Sequence, residues 1–143
     1  MEEKEMYYAY MIPLAPVGKK NSQQILINPK TKRPFISQSA RYKKYAKDCV
    51  LYLQSQGLPQ EPIAYPIHID VRFWMPSKRR CDTVNLQEAL WDILVDAKIL
   101  ADDNRDIIAS AQAMTFWDKD KPRTEFVITP YEEEYEQWRD LNG

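Results

Sequence analysis

Glycine is nearly absent from this chain: three in 143 residues, at positions 18, 57 and 143. A glycine-rich phosphate loop or a dinucleotide fingerprint needs closely spaced glycines so that backbone amides can approach a phosphate, and neither can be written here. Histidine is scarcer still. His68 stands alone, inside an alternating apolar run, and there it reads as a strand residue before it reads as a ligand or catalyst. Two cysteines, Cys49 and Cys81, are too few for a zinc site or a disulfide framework and suit a reducing cytosol. No apolar run approaches the ~20 residues of a membrane span, and no cleavable signal follows the acidic start "MEEKE". A cytoplasmic protein with no membrane role and no small-molecule cofactor is expected. Whatever chemistry it performs falls to carboxylates.

What is present is a foldable chain with sorted charges. A length of 143 residues predicts one domain, 1–143, burying roughly two-thirds of its unfolded surface. Nine Tyr and four Trp argue against disorder. Net charge is −1, so bulk charge says nothing of nucleic acid. The distribution does. From Leu14 to Lys47 there are nine Lys or Arg and no acid, whereas Cys81 to Asp106 carries seven acids against two bases.

Along the chain, "MYYAYMIPLAP" alternates as a strand ended by its prolines. The polar stretch "VGKKNSQQILINPKTKRPFIS" reads as a loop or a hairpin. Ser37 or Ser39 is placed to cap a helix in "SARYKKYAKDCVLYLQSQGL", where Tyr42, Ala46, Cys49, Val50 and Leu53 share a face and Gly57 and Pro59 end it. "YPIHIDVRFWMP" puts Ile67, Ile69, Val71 and Phe73 on one side and His68, Asp70, Arg72 and Trp74 on the other, a half-buried strand. A basic turn, "SKRRCDT", leads into a second helix over about Val84 to Ala97. "IIASAQAMTFW", the turn "DKDKP" and "RTEFVITPY" read as a final antiparallel hairpin, and the acidic tail "EEEYEQWRDLNG" as a short surface helix. The order predicts an α+β fold: a small mixed β-sheet with helices packed on one face.

On the second helix, Asn85, Glu88, Asp92 and Asp96 fall within about 80° of one another, opposite Leu86, Leu90, Ile93, Leu94 and Ala97. From periodicity alone this is a solvated face, or Asn85 capping the helix with Glu88 completing a capping box. The neighbours change the balance. Asp82 lies where the chain enters the helix, and the Asp102-Asp103 pair lies in the turn where it returns. Carboxylates gathered a few ångströms apart repel one another, and a cation relieves the repulsion. Oxygen ligands without His or Cys suit Mg2+, with Mn2+ as an alternative. Two such ions about 4 Å apart can activate a water and stabilise the leaving oxygen of a phosphodiester.

"RRCDTVNLQEALWDILVDAKILADDN" resembles the signature of the RusA family of Holliday-junction resolvases, common on phages and prophages. That signature is a basic turn, then D-x-D-N-L-x-K, an Asp four residues after the Lys, and an Asp-Asp pair about ten residues later. Asp82, Asn85, Leu86, Asp92, Asp102 and Asp103 fall at the family spacing without a gap. The opening strand and the loop "IPLAPVGKKN" also fit, though only the central segment is specific. The resemblance implies a magnesium-dependent endodeoxyribonuclease that resolves four-way junctions or related branched DNA in phage or prophage recombination and replication. A homodimer with one site per subunit is then expected, as the resemblance also implies, with a metal-activated water as the expected nucleophile.

Two departures stand out. Val84 occupies the place of the family's second Asp, and Glu88 that of a Lys held to assist catalysis. Together they read as a swap, the lost carboxylate reappearing one helical turn later. The expected metal ligands are therefore Asp82, Glu88, Asp92, Asp102 and Asp103, of which Asp82, Glu88, Asp92 and Asp103 are the catalytic set, with Asn85 in support. Lys78, Arg79, Arg80 or Lys98 could supply the missing positive charge. The DNA-contacting set is Lys19, Lys20, Asn21, Arg33, Arg41, Lys44, Lys78, Arg79 and Arg80. The rival expectation is a branched-DNA-binding protein that lost cleavage along with the Asp at position 84.

Overall fold

The computed structural model describes residues 7–19, 23–131 and 141. Its elements are β1 (Tyr8–Ile12), β2 (Gln23–Ile27), β3 (Pro34–Gln38), α1 (Ala40–Ser55), β4 (Ile67–Met75), α2 (Thr83–Asp96), β5 (Ile108–Trp117) and β6 (Arg123–Pro130). Four strands form a mixed sheet in the order β1-β6-β4-β5, and β2 and β3 form a separate ribbon. This is the α+β arrangement expected. Among the described residues no helix is long and apolar enough to cross a membrane.

The alternation in β4 decides which face is covered. Ile67, Ile69, Val71 and Phe73 are buried, and they meet Cys49 and Leu53 of α1 and Leu86, Leu90, Ile93 and Leu94 of α2 in one core. Tyr10, Ile12, Phe126 and Ile128 extend that core across β1 and β6. The opposite face, with Asp70 and Arg72, is left uncovered by either helix. His68 lies on it as a structural residue, its Nδ1 2.8 Å from Ser110 Oγ and its ring stacked on Tyr131.

One pairing differs from the sequence expectation. β5 and β6 do not form a hairpin: β4 lies between them, parallel to β5 and antiparallel to β6. The reason is competition for the best partner. β4 presents a buried side chain at every second position from Ile67 to Phe73, so each later strand pairs with it rather than with the other. The connecting turn passes the end of β4, where the Asp118 N–H donates to the Met75 carbonyl at 2.9 Å.

Helix ends set the positions that matter next. Ser39 caps α1, its Oγ accepting from the Tyr42 N–H at 3.2 Å. α2 begins one residue before the expected start. Its cap is Asp82, whose Oδ1 accepts from the Asn85 N–H at 3.2 Å. The reading in which Asn85 caps the helix is thereby overturned, because Asn85 is the third helical residue. The stretch left open as loop or hairpin is a hairpin, with Ile25 opposite Ile36 and Leu26 opposite Phe35. Lys20, Asn21 and the tail read as a surface helix, Leu141 apart, lie outside the described residues.

Candidate active site

The site is assembled where the β1–β2 loop crosses α2. Asn85 is only 2% exposed, a buried amide on the otherwise polar side of the helix. Gly18 explains the burial: a Cβ there would lie 2.2 Å from Asn85 Nδ2 and 2.9 Å from its Cγ. Only glycine lets the loop backbone come so close. Two helical turns further on, the next loop residue reaches the same stripe, with Lys19 Nζ 2.5 Å from Asp92 Oδ2. Glu88 lies on the stripe between these two contacts.

Beyond Lys19 opens a cleft of about 480 Å³, lined by Lys19, Gln38, Tyr42, Ala46, Asp92, Val95, Asp96, Asp102 and Asp103. The last two arrive on the loop that follows α2. Lys98, at φ 68, turns the chain out of the helix in the left-handed conformation usually left to glycine or asparagine. Backbone bonds from Ile63 to Ile99 and from Ala101 to Ile63, both 2.9 Å, then fix the loop to the body. Asp102 Oδ1 accepts from the Asp103 N–H at 2.7 Å, and Asn104 Nδ2 donates to Asp102 Oδ2 at 3.3 Å.

Crowding leaves an electrostatic mark. The Asp103 carboxyl is raised above its ordinary value, first by partial desolvation, then by its hydrogen bond with Asp102 and the charges of Asp92 and Asp102. Tyr42, on the opposite wall, is pushed up to about 12 by burial and then by the charge of Asp92. Another depression, of about 530 Å³ on the open face of the sheet, is lined by Met11, Asp70, Arg72 and Glu125 among others and gathers no comparable set of like charges.

The structure thus brings Asp92, Asp102 and Asp103 to one cleft and adds Asp96. Asp82 and Glu88 do not line it, and Asp82 spends one oxygen on the helix cap. Among the described residues no three acidic side chains converge closely enough to hold one ion. The donors nonetheless fit a hard divalent cation. They are all carboxylate oxygens, the charges of Asp92 and Asp102 add to the desolvation that raises Asp103, and magnesium binds through one or two carboxylates plus water and substrate phosphate.

Residues 13–129 match the family described as Endodeoxyribonuclease RusA. The chain belongs to this family. A relative from Aquifex aeolicus (strain VF5), described as "Crossover junction endodeoxyribonuclease RusA", is 29% identical over 104 residues, 73% of this chain and 75% of that protein. The matched range takes in every element of the cleft, from the Gly18 loop through α2 to Asp103. As a member of the RusA family the chain is a structure-specific endodeoxyribonuclease.

Around this RusA-family cleft the expected DNA-contacting residues are spread unevenly. Lys19 is inside it, engaged with Asp92. Arg33, Arg41, Arg79 and Arg80 are exposed. Lys44 is paired with Asp48 at 2.6 Å, and the Lys78 ammonium lies 4.7 Å from the centre of the Trp117 ring. Sequence reasoning missed Gln38 and Tyr42 as cleft residues. Tyr42 shares the apolar face of α1, so periodicity assigns it to the core, and nothing local marks the edge of that face as a cleft wall. Lys19 was expected among the phosphate contacts and is found among the acids. The signal for that was its neighbour: one of only three glycines stands immediately before it.

Proposed function

We propose that this protein is a magnesium-dependent resolvase of Holliday junctions and related branched DNA, with manganese as an alternative ion. It works in the cytoplasm of a bacterium or phage-infected host, in phage or prophage recombination and replication. The observation that carries the reading is the ion pair of Lys19 with Asp92 inside a cleft of four aspartates. A nuclease needs acids for its cation and a base for its phosphate at one place, and here both are on α2 and the loop seated on it. The relative's crossover-junction activity points to the same substrate.

In this reading Asp82, Glu88, Asp92, Asp102 and Asp103 are the acids available to the cation, with Asp92, Asp102 and Asp103 nearest to hand. When bound, the ion supplies Lewis-acid charge at the scissile phosphate and makes water a better nucleophile. The chain's own residues do the rest. Lys19 transfers its Nζ hydrogen bonds from Asp92 to a phosphate oxygen, taking the role that the family pattern gives to a lysine at position 88. Asn85 acts by seating the loop that carries Lys19. A four-way junction has two-fold symmetry and needs two matched nicks, which favours a homodimer with one site per subunit.

The test is nicking of a synthetic four-way junction against a duplex of the same sequence, over a magnesium titration. Nicks in symmetrically placed strands that depend on the ion are expected. Tight junction binding with no nicking at any magnesium or manganese concentration would instead make this a branch-binding protein that lost cleavage with the carboxylate at position 84.

A further inference from the structure

The β2–β3 ribbon has the wrong surface for a solvated hairpin. Ile25, Ile27 and Ile36 are each about 70% exposed (74%, 68% and 68%), and Phe35 is 46% exposed. Ile25 and Ile36 are cross-strand partners, so the three isoleucines share one side of the ribbon, while Leu26 and Phe35 pair on the other. Apart from each other, neither strand makes an extensive contact with any described element. A ribbon apolar on both sides and standing off the body expects a partner.

Place and charge say which. The ribbon springs from the rim of the acidic cleft: Lys19, shortly before β2, and Gln38, at the end of β3, both line it. Its tip is basic, with Lys30, Lys32 and Arg33 held in a turn where Asn28 Oδ1 accepts from the Lys30 N–H at 2.9 Å. The whole stretch from Leu14 to Lys47 has nine bases and no acid, so a second copy of the ribbon would be repelled while a polyanion is attracted. DNA that sets a phosphate in the cleft lies beside Lys19 and Gln38, at the root of the ribbon. At a branch point, base pairs lose a stacking neighbour and present apolar faces. Two-stranded ribbons fit DNA grooves, and Ile, Leu and Phe are the side chains that wedge between bases.

Resting on the reading of the cleft as a branched-DNA nuclease, we propose that the β2–β3 ribbon is the element that recognises the branch. Its apolar strands cover base faces exposed at the crossover, and its basic tip follows the phosphates of the adjoining arm. The ribbon, not the cleft, then sets the preference for junction over duplex.

The experiment compares the parent with the double variant Ile25→Ser, Ile36→Ser and with the apolar control Phe35→Leu. Substrates are a four-way junction carrying 2-aminopurine beside the crossover and a matched duplex. The parent is expected to prefer the junction and to brighten the probe as bases unstack. The double variant should lose about tenfold in junction affinity and most of the brightening, with duplex affinity and melting temperature unchanged, whereas Phe35→Leu should behave as the parent. Parent-like preference and brightening in the double variant overturn the proposal while leaving the nuclease reading intact. So does a fall in molecular mass by light scattering that accounts for the lost affinity, since the occupant would then be a second copy. A parent with no junction preference overturns the substrate reading and the ribbon's role together.

Discussion

A half-buried lysine paired with a half-buried aspartate, both still reached by solvent, adds little to stability, ~0–1 kcal/mol, so the Lys19–Asp92 contact is not explained as a fold device. Lys19→Met should therefore melt close to the parent yet slow single-turnover nicking of saturated junction by about tenfold or more, with Lys19→Arg recovering part of the rate. A slowed rate in Lys19→Met that more DNA restores would assign Lys19 to binding alone. Asp103 carries a second expectation. Its carboxyl is raised in the folded cleft, so ionising it costs stability: the favourable state persists below the unfolded carboxylate range and is lost as pH rises through the raised value. Asp103→Asn removes the cost. It should melt higher than the parent at about pH 7, with the gap closing toward about pH 4, while nicking is abolished and junction binding holds or tightens. Equal loss of binding and cutting would make Asp103 a folding residue.

At the scale of elements, the strand and helix faces were readable because burial imposes a period. Ile67 to Phe73 alternate, and Leu86, Leu90, Ile93 and Leu94 repeat at helical spacing. Sheet order was not readable in the same way. β5 and β6 each carry a strand pattern, but which neighbour each takes depends on what β4 offers, a comparison no local window contains. The stripe of Asn85, Glu88, Asp92 and Asp96 was legible, but its meeting with the Gly18 loop was not, since that contact joins residues far apart in the chain. Gly18→Ala tests the meeting: a Cβ 2.2 Å from Asn85 Nδ2 must displace either the loop, and with it Lys19, or the buried Asn85 amide against which the loop is seated. Nicking should fall at least tenfold, while the helical circular-dichroism signal stays as in the parent. Glu88 is tested on the same helix. Gln has nearly the same helix propensity, so Glu88→Gln leaves α2 intact. If Glu88 replaces the carboxylate missing at Val84, activity should fall about a hundredfold and the magnesium requirement rise. Adding Val84→Asp should then restore part of the cutting. Parent-like nicking by Glu88→Gln at low magnesium would end the swap hypothesis.

For the whole molecule, a net charge of −1 predicts indifference to a polyanion, and the segregation of charge predicts the opposite. Bases of the first 47 residues and acids of residues 81–106 meet where the loop lies on α2, so in the proposed reading DNA attracted by the bases is set beside the acids that would hold the cation. This separates two dependences that bulk charge would merge. Affinity for any DNA shape should fall steeply as monovalent salt rises, because each phosphate contact releases counterions and contributes about 0.9 to the slope of log affinity on log salt. Changing Lys19 and Lys20 together to Ala should flatten that slope by up to about two per subunit and weaken junction and duplex alike, leaving their ratio unchanged. The ratio is preserved because phosphate contacts position the DNA without reading its shape. Fluorescence anisotropy on both substrates across a salt series measures slope and ratio together. An unchanged slope would place the loop away from the DNA. A flattened slope with a changed ratio would mean that the loop, and not only the ribbon it leads into, distinguishes a branch from a duplex.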